Sequence, residues 1–139
     1  MTTTNPLTII LEKGDTELFG RIEIPDEFLY TTVGNNINDV TDNLRDLVAD
    51  YIAHEGQALA HWQHVDAKDI AFTYEYDLTA LFEVFDSIKI NSVATLAGLN
   101  QSLMRQYVTG KKRPSERQAK KIEEAIRQLG QRLSGVVVV

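Results

Sequence analysis

The chain has no cysteine among its 139 residues, which excludes a disulfide frame and a cysteine-held zinc site. That absence suits a reducing, cytoplasmic setting. No apolar run approaches the roughly 18–20 residues of a membrane span, so no membrane partner is expected. The opening Met1-Thr-Thr-Thr-Asn-Pro has neither a charged start nor a long apolar stretch, and no secretory signal peptide is expected there. Also missing are a nucleophile motif, a phosphate loop and a dinucleotide glycine pattern, so the chain reads as non-catalytic and without a cofactor.

Two residue groups resemble chemistry at first sight. His54, His61 and His64 cluster around Trp62, and His61-x-x-His64 can bring two imidazoles together on a helix, with Glu55 or Asp66 nearby. A zinc site needs three or four arranged ligands, so no metal is assigned. Glu12, Asp15 and Glu17 offer carboxylates such as a magnesium-dependent nuclease uses, but they surround a turn. A solvated acidic loop is the simpler account.

Basic residues are scarce where acids are dense. Residues 1–90 hold 5 Lys/Arg against 17 Asp/Glu, a net charge of −12. Residues 91–139 hold 9 against 3, a net charge of +6. An acidic module joined to a basic one points to two partners of opposite sign. The length allows one domain or two small ones, and a hydrophobic content of 43% permits a core.

Leu7 to Glu12 is dense in β-branched residues and reads as a strand. Lys13-Gly14-Asp15 is turn chemistry, and Glu17 to Ile24 alternates as a second, antiparallel strand. Pro25-Asp26-Glu27 breaks it, and Phe28 to Val33 is a third. Gly34-Asn35-Asn36 then supplies a cap for a helix whose stripe is Ile37, Val40, Leu44, Leu47, Val48, Tyr51 and Ile52. Asp39, Asp42, Asp46 and Asp50 lie opposite, and the helix should stop near Glu55-Gly56. Gln57 to Lys68 has no clear period and reads as a loop or a ragged helix. Ile70 to Tyr76 is a fourth strand. Asp77 can cap a helix with Leu78, Leu81, Phe82 and Phe85 inward, which puts a domain boundary close to Asp77.

The stretch Val93 to Gly110 (V-A-T-L-A-G-L-N-Q-S-L-M-R-Q-Y-V-T-G) organises the second half. Ala94 and Ala97 let two helices approach closely. Gly98 takes a left-handed cap without strain, and Asn100 is a strong N-cap for the next helix. That helix should carry Leu103 or Met104 and Tyr107 inward. Its other face is Gln101, Ser102, Arg105 and Gln106, types that pair with base edges and phosphates. Gly110 ends it, and the basic run Lys111, Lys112, Arg113 follows. Ordinary packing of a helical hairpin fits the turn alone; the step Gly110-Lys111-Lys112-Arg113-Pro114-Ser115 does not follow from packing. Ser115 caps a last helix to Leu133, with Gln118 completing a capping box. Its apolar face is Ala119, Ile122, Ala125, Ile126, Leu129 and Leu133. The tail Val136 to Val139 is either frayed or paired as a strand with another chain.

From Leu78 to about Leu133 the chain resembles the Cro/C1 (Xre) class of phage-repressor domains, which place a polar recognition helix in a DNA major groove. The resemblance rests on the small-residue turn, the polar helix, the Gly110 to Ser115 step and the last helix. It assigns Asn100, Gln101, Ser102, Arg105, Gln106, Lys111, Lys112 and Arg113 to DNA. The β-β-β-α-β order of residues 7–76 resembles the N-terminal domain of HicB antitoxins, through Pro25-Asp26-Glu27-Phe28, Thr31-Thr32-Val33-Gly34-Asn35 and the helix from Ile37. That family's domain is a degraded ribonuclease-H-like fold.

The expectation is therefore an α+β protein of two domains: 1–76, HicB-like and toxin-binding, and 77–139, an all-α helix-turn-helix module. The resemblance implies an antitoxin that masks a small, basic, RNA-cleaving HicA-like toxin and represses its own operon at a double-stranded DNA operator. Glu12, Asp15, Glu17, Glu23, Asp26 and Glu27 would form one negative edge toward that toxin. Two half-sites imply a homodimer or a dimer of dimers. A plain helix-turn-helix regulator, with an N-terminal domain that senses a ligand or dimerises, is the alternative.

Overall fold

A computed structural model describes residues 6–139; the opening stretch Met1 to Asn5, on which the signal-peptide expectation rests, lies outside them. The chain is α+β and divides into two compact units that part after Ala80. The division falls inside a helix, with no linker. Among the described residues no helix is long and apolar enough to cross a membrane.

In the first unit, β1 (Leu7–Lys13), β2 (Leu18–Ile24), β3 (Phe28–Gly34) and β4 (Phe72–Tyr76) form one mixed sheet in the order β3-β2-β1-β4. The β1–β2 and β2–β3 pairs are antiparallel, and β4 runs parallel to β1. The long connection to β4 contains α1 (Ile37–His54), as a parallel pairing demands. Alternation along the strands separates two faces. Ile9, Leu11, Leu18 and Ile22 are buried on the face that α1 covers. Phe19, Leu29 and Val33 lie on the other face and stay exposed.

α1 starts where Asn36 Oδ1 accepts the Asp39 N–H at 2.8 Å, and it buries Val40, Leu44, Val48, Tyr51 and Ile52. Its acids Asp39, Asp42, Asp46 and Asp50 are exposed, and it ends at His54. Close approach to the sheet depends on Gly20, where an added Cβ would overlap Val40 Cγ1. The Tyr74 hydroxyl bonds Thr41 Oγ1 at 2.9 Å, and the Arg45 guanidinium lies over the Phe72 ring.

The segment without sequence period is neither a free loop nor an α-helix. It makes three single 3-10 turns, Gly56–Ala58, Ala60–Trp62 and Ala67–Asp69. Arg45 donates to the carbonyls of Ala67 and Ile70 at 2.6 and 2.9 Å, which ties the last of these turns to α1. Trp62 is buried, and its indole N–H donates to Glu27 Oε1 at 2.6 Å. The Tyr51 hydroxyl donates to the same oxygen at 2.8 Å, and His61 Nε2 lies 3.0 Å from Glu27 Oε2.

Two expectations change here. The six acids of the first strands do not form one edge. Glu12, Asp15 and Glu17 lie at or near the β1–β2 turn, whereas Asp26 and Glu27 lie at the β2–β3 turn, at the other end of a seven-residue strand, roughly 20 Å away. Glu12 pairs with Arg21, and Glu27 is turned into the aromatic cluster. The histidines do not share a helix either: His61 engages Glu27, and His64 sits at φ 64° in the following turn. Among the described residues no three His, Asp or Glu are grouped to hold a metal.

α2 (Leu78–Val84) begins with Asp77 Oδ1 accepting the Ala80 N–H at 2.7 Å. Phe82 is buried, but Phe85 lies just beyond the helix and is 42% exposed rather than inward. α3 (Ile90–Ala97), α4 (Gln101–Val108) and α5 (Glu116–Ser134) make up the rest of the second unit. Its core is Val93, Ala94, Met104, Tyr107, Ile122 and Ala125. The apolar stripe of α5 runs out toward its end, where Leu133 is exposed, and Val136 to Val139 form no strand in this chain.

Candidate nucleic-acid interface

α3 begins at Ile90, three residues before the stretch that the sequence pattern marks. Gly98 closes it at φ 70°, where the Gly98 and Leu99 N–H groups reach back to the carbonyls of Thr95 and Ala94 at 3.2 and 2.9 Å. Beyond the adjoining backbone, no atom lies within 4 Å of where a Cβ would stand, so glycine is needed there for conformation alone. Two residues later Asn100 Oδ1 accepts the N–H groups of Ser102 and Leu103 at 2.8 and 3.2 Å. The left-handed stop and the side-chain start together make a three-residue turn between two eight-residue helices.

α4 then divides by face. Met104 and Tyr107 are buried, and Leu103 is half-buried. Gln101, Ser102 and Arg105 are exposed on the opposite side. Arg105 Nη2 donates to Asn91 Oδ1 of α3 at 3.2 Å, which holds the guanidinium against the neighbouring helix. Thr95 of α3 and Gln101 of α4 line one groove of about 670 Å³ together with Leu129, Arg132 and Leu133 of α5.

Gln106 departs from the expected set. Its side-chain oxygen is buried without a hydrogen-bond partner, and its carbonyl accepts the Lys112 N–H at 3.1 Å. The chain folds back over it after Gly110, so this glutamine does not share the open face. Asn100 is exposed, but its oxygen is spent on the cap, which leaves only its amide N–H groups to point outward. Lys111, Lys112 and Arg113 follow the helix as an exposed basic segment.

Ser115 Oγ accepts the Gln118 N–H at 3.2 Å and starts α5 as expected. The reciprocal half of the capping box is absent, because Gln118 Oε1 is buried with no partner. On α5, Arg117, Lys120 and Lys121 line a second groove, of about 480 Å³, against Leu96 and Ala97 of α3. Lys120 and Arg127 each pair with a glutamate four residues earlier, at 3.8 and 2.5 Å, which lowers the positive charge they offer.

Asn91 and Thr95 are the residues that sequence reasoning passed over. Polar positions at helical spacing on α3 were the available signal, but their link to α4 depends on how the two helices cross. Compared with family models, with curated proteins and with solved structures, the chain matches none of them.

Proposed function

We propose that this protein is a non-catalytic, HicB-like antitoxin with a Cro/C1-type helix-turn-helix, which binds its own operator and a small basic RNA-cleaving toxin. The observation that carries the reading is α4: capped by Asn100, anchored by Met104 and Tyr107, and open on its Gln101, Ser102 and Arg105 side. In this reading those three side chains meet base edges in a major groove, and Lys111, Lys112 and Arg113 hold phosphates. The β-β-β-α-β order supports a degraded ribonuclease-H-like first unit. The opposite charges of the two halves support two separate partners, since an acidic domain is repelled by nucleic acid and attracted to a basic protein.

The test is binding of the full chain to a duplex covering its own promoter, against a random duplex of equal length. A preference of tenfold or more supports the operator role; equal or absent binding overturns it. Co-expression with any small basic protein whose gene adjoins this one addresses the other half. Rescue of growth supports masking of a toxin, and failure of a soluble chain to bind or protect leaves a plain DNA-binding regulator.

A further inference from the structure

The edges of the sheet differ in a way that the proposed function does not use. β4 is a five-residue edge carrying Glu75 on the open face. β3 is a seven-residue edge, F-L-Y-T-T-V-G, with no charge and no proline. Natural sheets blunt exposed edges with charge, proline, bulges or brevity, because unpaired backbone groups recruit other strands. β3 has none of these devices. Its two open-face aliphatic residues are also exposed, Leu29 at 59% and Val33 at 39%.

The spacing of those residues is self-complementary. If β3 meets β3 of a second copy antiparallel about Thr31, Leu29 of each copy stands opposite Val33 of the other, and the two Thr31 residues face each other. Tyr30 then meets Thr32 on the opposite face. Every cross-strand pair is apolar or hydroxyl-bearing, of the kinds that stabilise sheets, and no like charges are opposed within the strand. We infer that the β3 edge is a self-association surface, pairing two copies of this chain into one eight-stranded sheet with its two-fold axis at Thr31.

One carbonyl of the edge, that of Val33, accepts a 3.1 Å bond from the exposed Asn43 side chain at the end of the strand, and pairing would share or displace it. The strand is short, which places the contact in the small class below about 1,200 Å² in total. The association is therefore reversible. Each copy also brings a net charge of −12 over residues 1–90, so repulsion opposes pairing and added salt should strengthen it. DNA binding would respond to salt in the opposite sense. This surface does not depend on the antitoxin reading.

The lack of cysteine makes the test direct. Facing residues of an antiparallel pair have Cα atoms about 4.5–5.5 Å apart, within the span a disulfide bridges. Thr31→Cys in the full chain should form a disulfide dimer under mild oxidation at least tenfold faster than Thr73→Cys. Thr73 lies on the same open face but on the far strand β4, and serves as the control. The rate difference should widen with salt. Equal rates at the two positions would overturn the inference. Thr31→Glu and Thr31→Lys offer a second readout: each alone should weaken sedimenting self-association about tenfold, and an equimolar mixture should restore it. No recovery on mixing would also overturn it.

Discussion

Arg105 Nη2 stands 3.2 Å from Asn91 Oδ1, a bond that joins α4 to α3 on the open side of the turn. The contact restrains a guanidinium that would otherwise sample many rotamers, and it uses one of the five donors of an exposed side chain. On the proposed DNA-binding reading, Arg105→Ala is expected to cost about 1–3 kcal/mol of operator binding and to relax preference at one base position. Asn91→Ala should cost less, and only while Arg105 is present. Fluorescence anisotropy on specific and random duplexes across the four-member mutant cycle measures both, and additive losses would refute the coupling.

If α4 reads DNA as proposed, Lys112 should act on phosphate rather than on bases, because it follows that helix instead of lying on it. Lys112→Ala is expected to weaken binding to all sequences alike and to lower the slope of log affinity against log salt by about one. Titrations at several salt concentrations read that slope directly.

Gly98→Ala isolates the backbone term at the turn. Space for the methyl group exists, so the loss is the left-handed conformation itself, about 1 kcal/mol. Denaturant unfolding should show that loss with no change in the sheet's circular dichroism signal. A neutral result would mean that the turn is not held at φ 70° in solution.

Gly20→Ala reports on how closely α1 seats on the sheet. The new methyl would overlap Val40 Cγ1, so a loss of roughly 1–3 kcal/mol is expected from overpacking. Trimming the partner with Val40→Ala should make the second substitution cheaper than it is alone. Thermal unfolding of the single and double variants tests this.

Glu27 gives the acid limb of stability its shape. Burial pushes its carboxyl up most strongly, but hydrogen bonds from Trp62, Tyr51 and His61, with the His61 charge, together hold it below the ordinary carboxylate range. A carboxylate with a depressed folded value contributes stability above its unfolded value, about 4.3, and loses it as pH falls through the lower folded one. The same cluster acts at high pH. Burial first, then the hydrogen bond to Glu27, push Tyr51 up to about 12. Its stabilisation is complete below the unfolded value near 10 and is lost as pH rises from there through about 12. Glu27→Ala leaves the Trp62 and Tyr51 donors unsatisfied and should cost about 2–3 kcal/mol at neutral pH. The gap between the two proteins should close on acidification; a constant gap from neutral pH down to about 2 would contradict the cluster's role.

Much of this protein is written in short-range pattern. Alternating residues place the first three strands within a residue or two, because a pleated strand sends successive side chains to opposite faces. Asn36, Asn100, Ser115 and Gly98 mark helix ends by bonds spanning two to four residues, and such bonds need no tertiary partner. The exposed trio Gln101, Ser102 and Arg105 follows from the same local helical period. What the pattern could not settle depends on approach across the fold. Glu27 leaves the acidic surface because α1 and a 3-10 turn bring it Tyr51 and Trp62, 24 and 35 residues away in sequence. Gln106 and Gln118 bury their side-chain oxygens, and Asn91 joins Arg105, in ways that no spacing along one helix encodes. Local geometry is set by the chain's own dihedral preferences, whereas the fate of a polar side chain is decided by which distant groups reach it before water does.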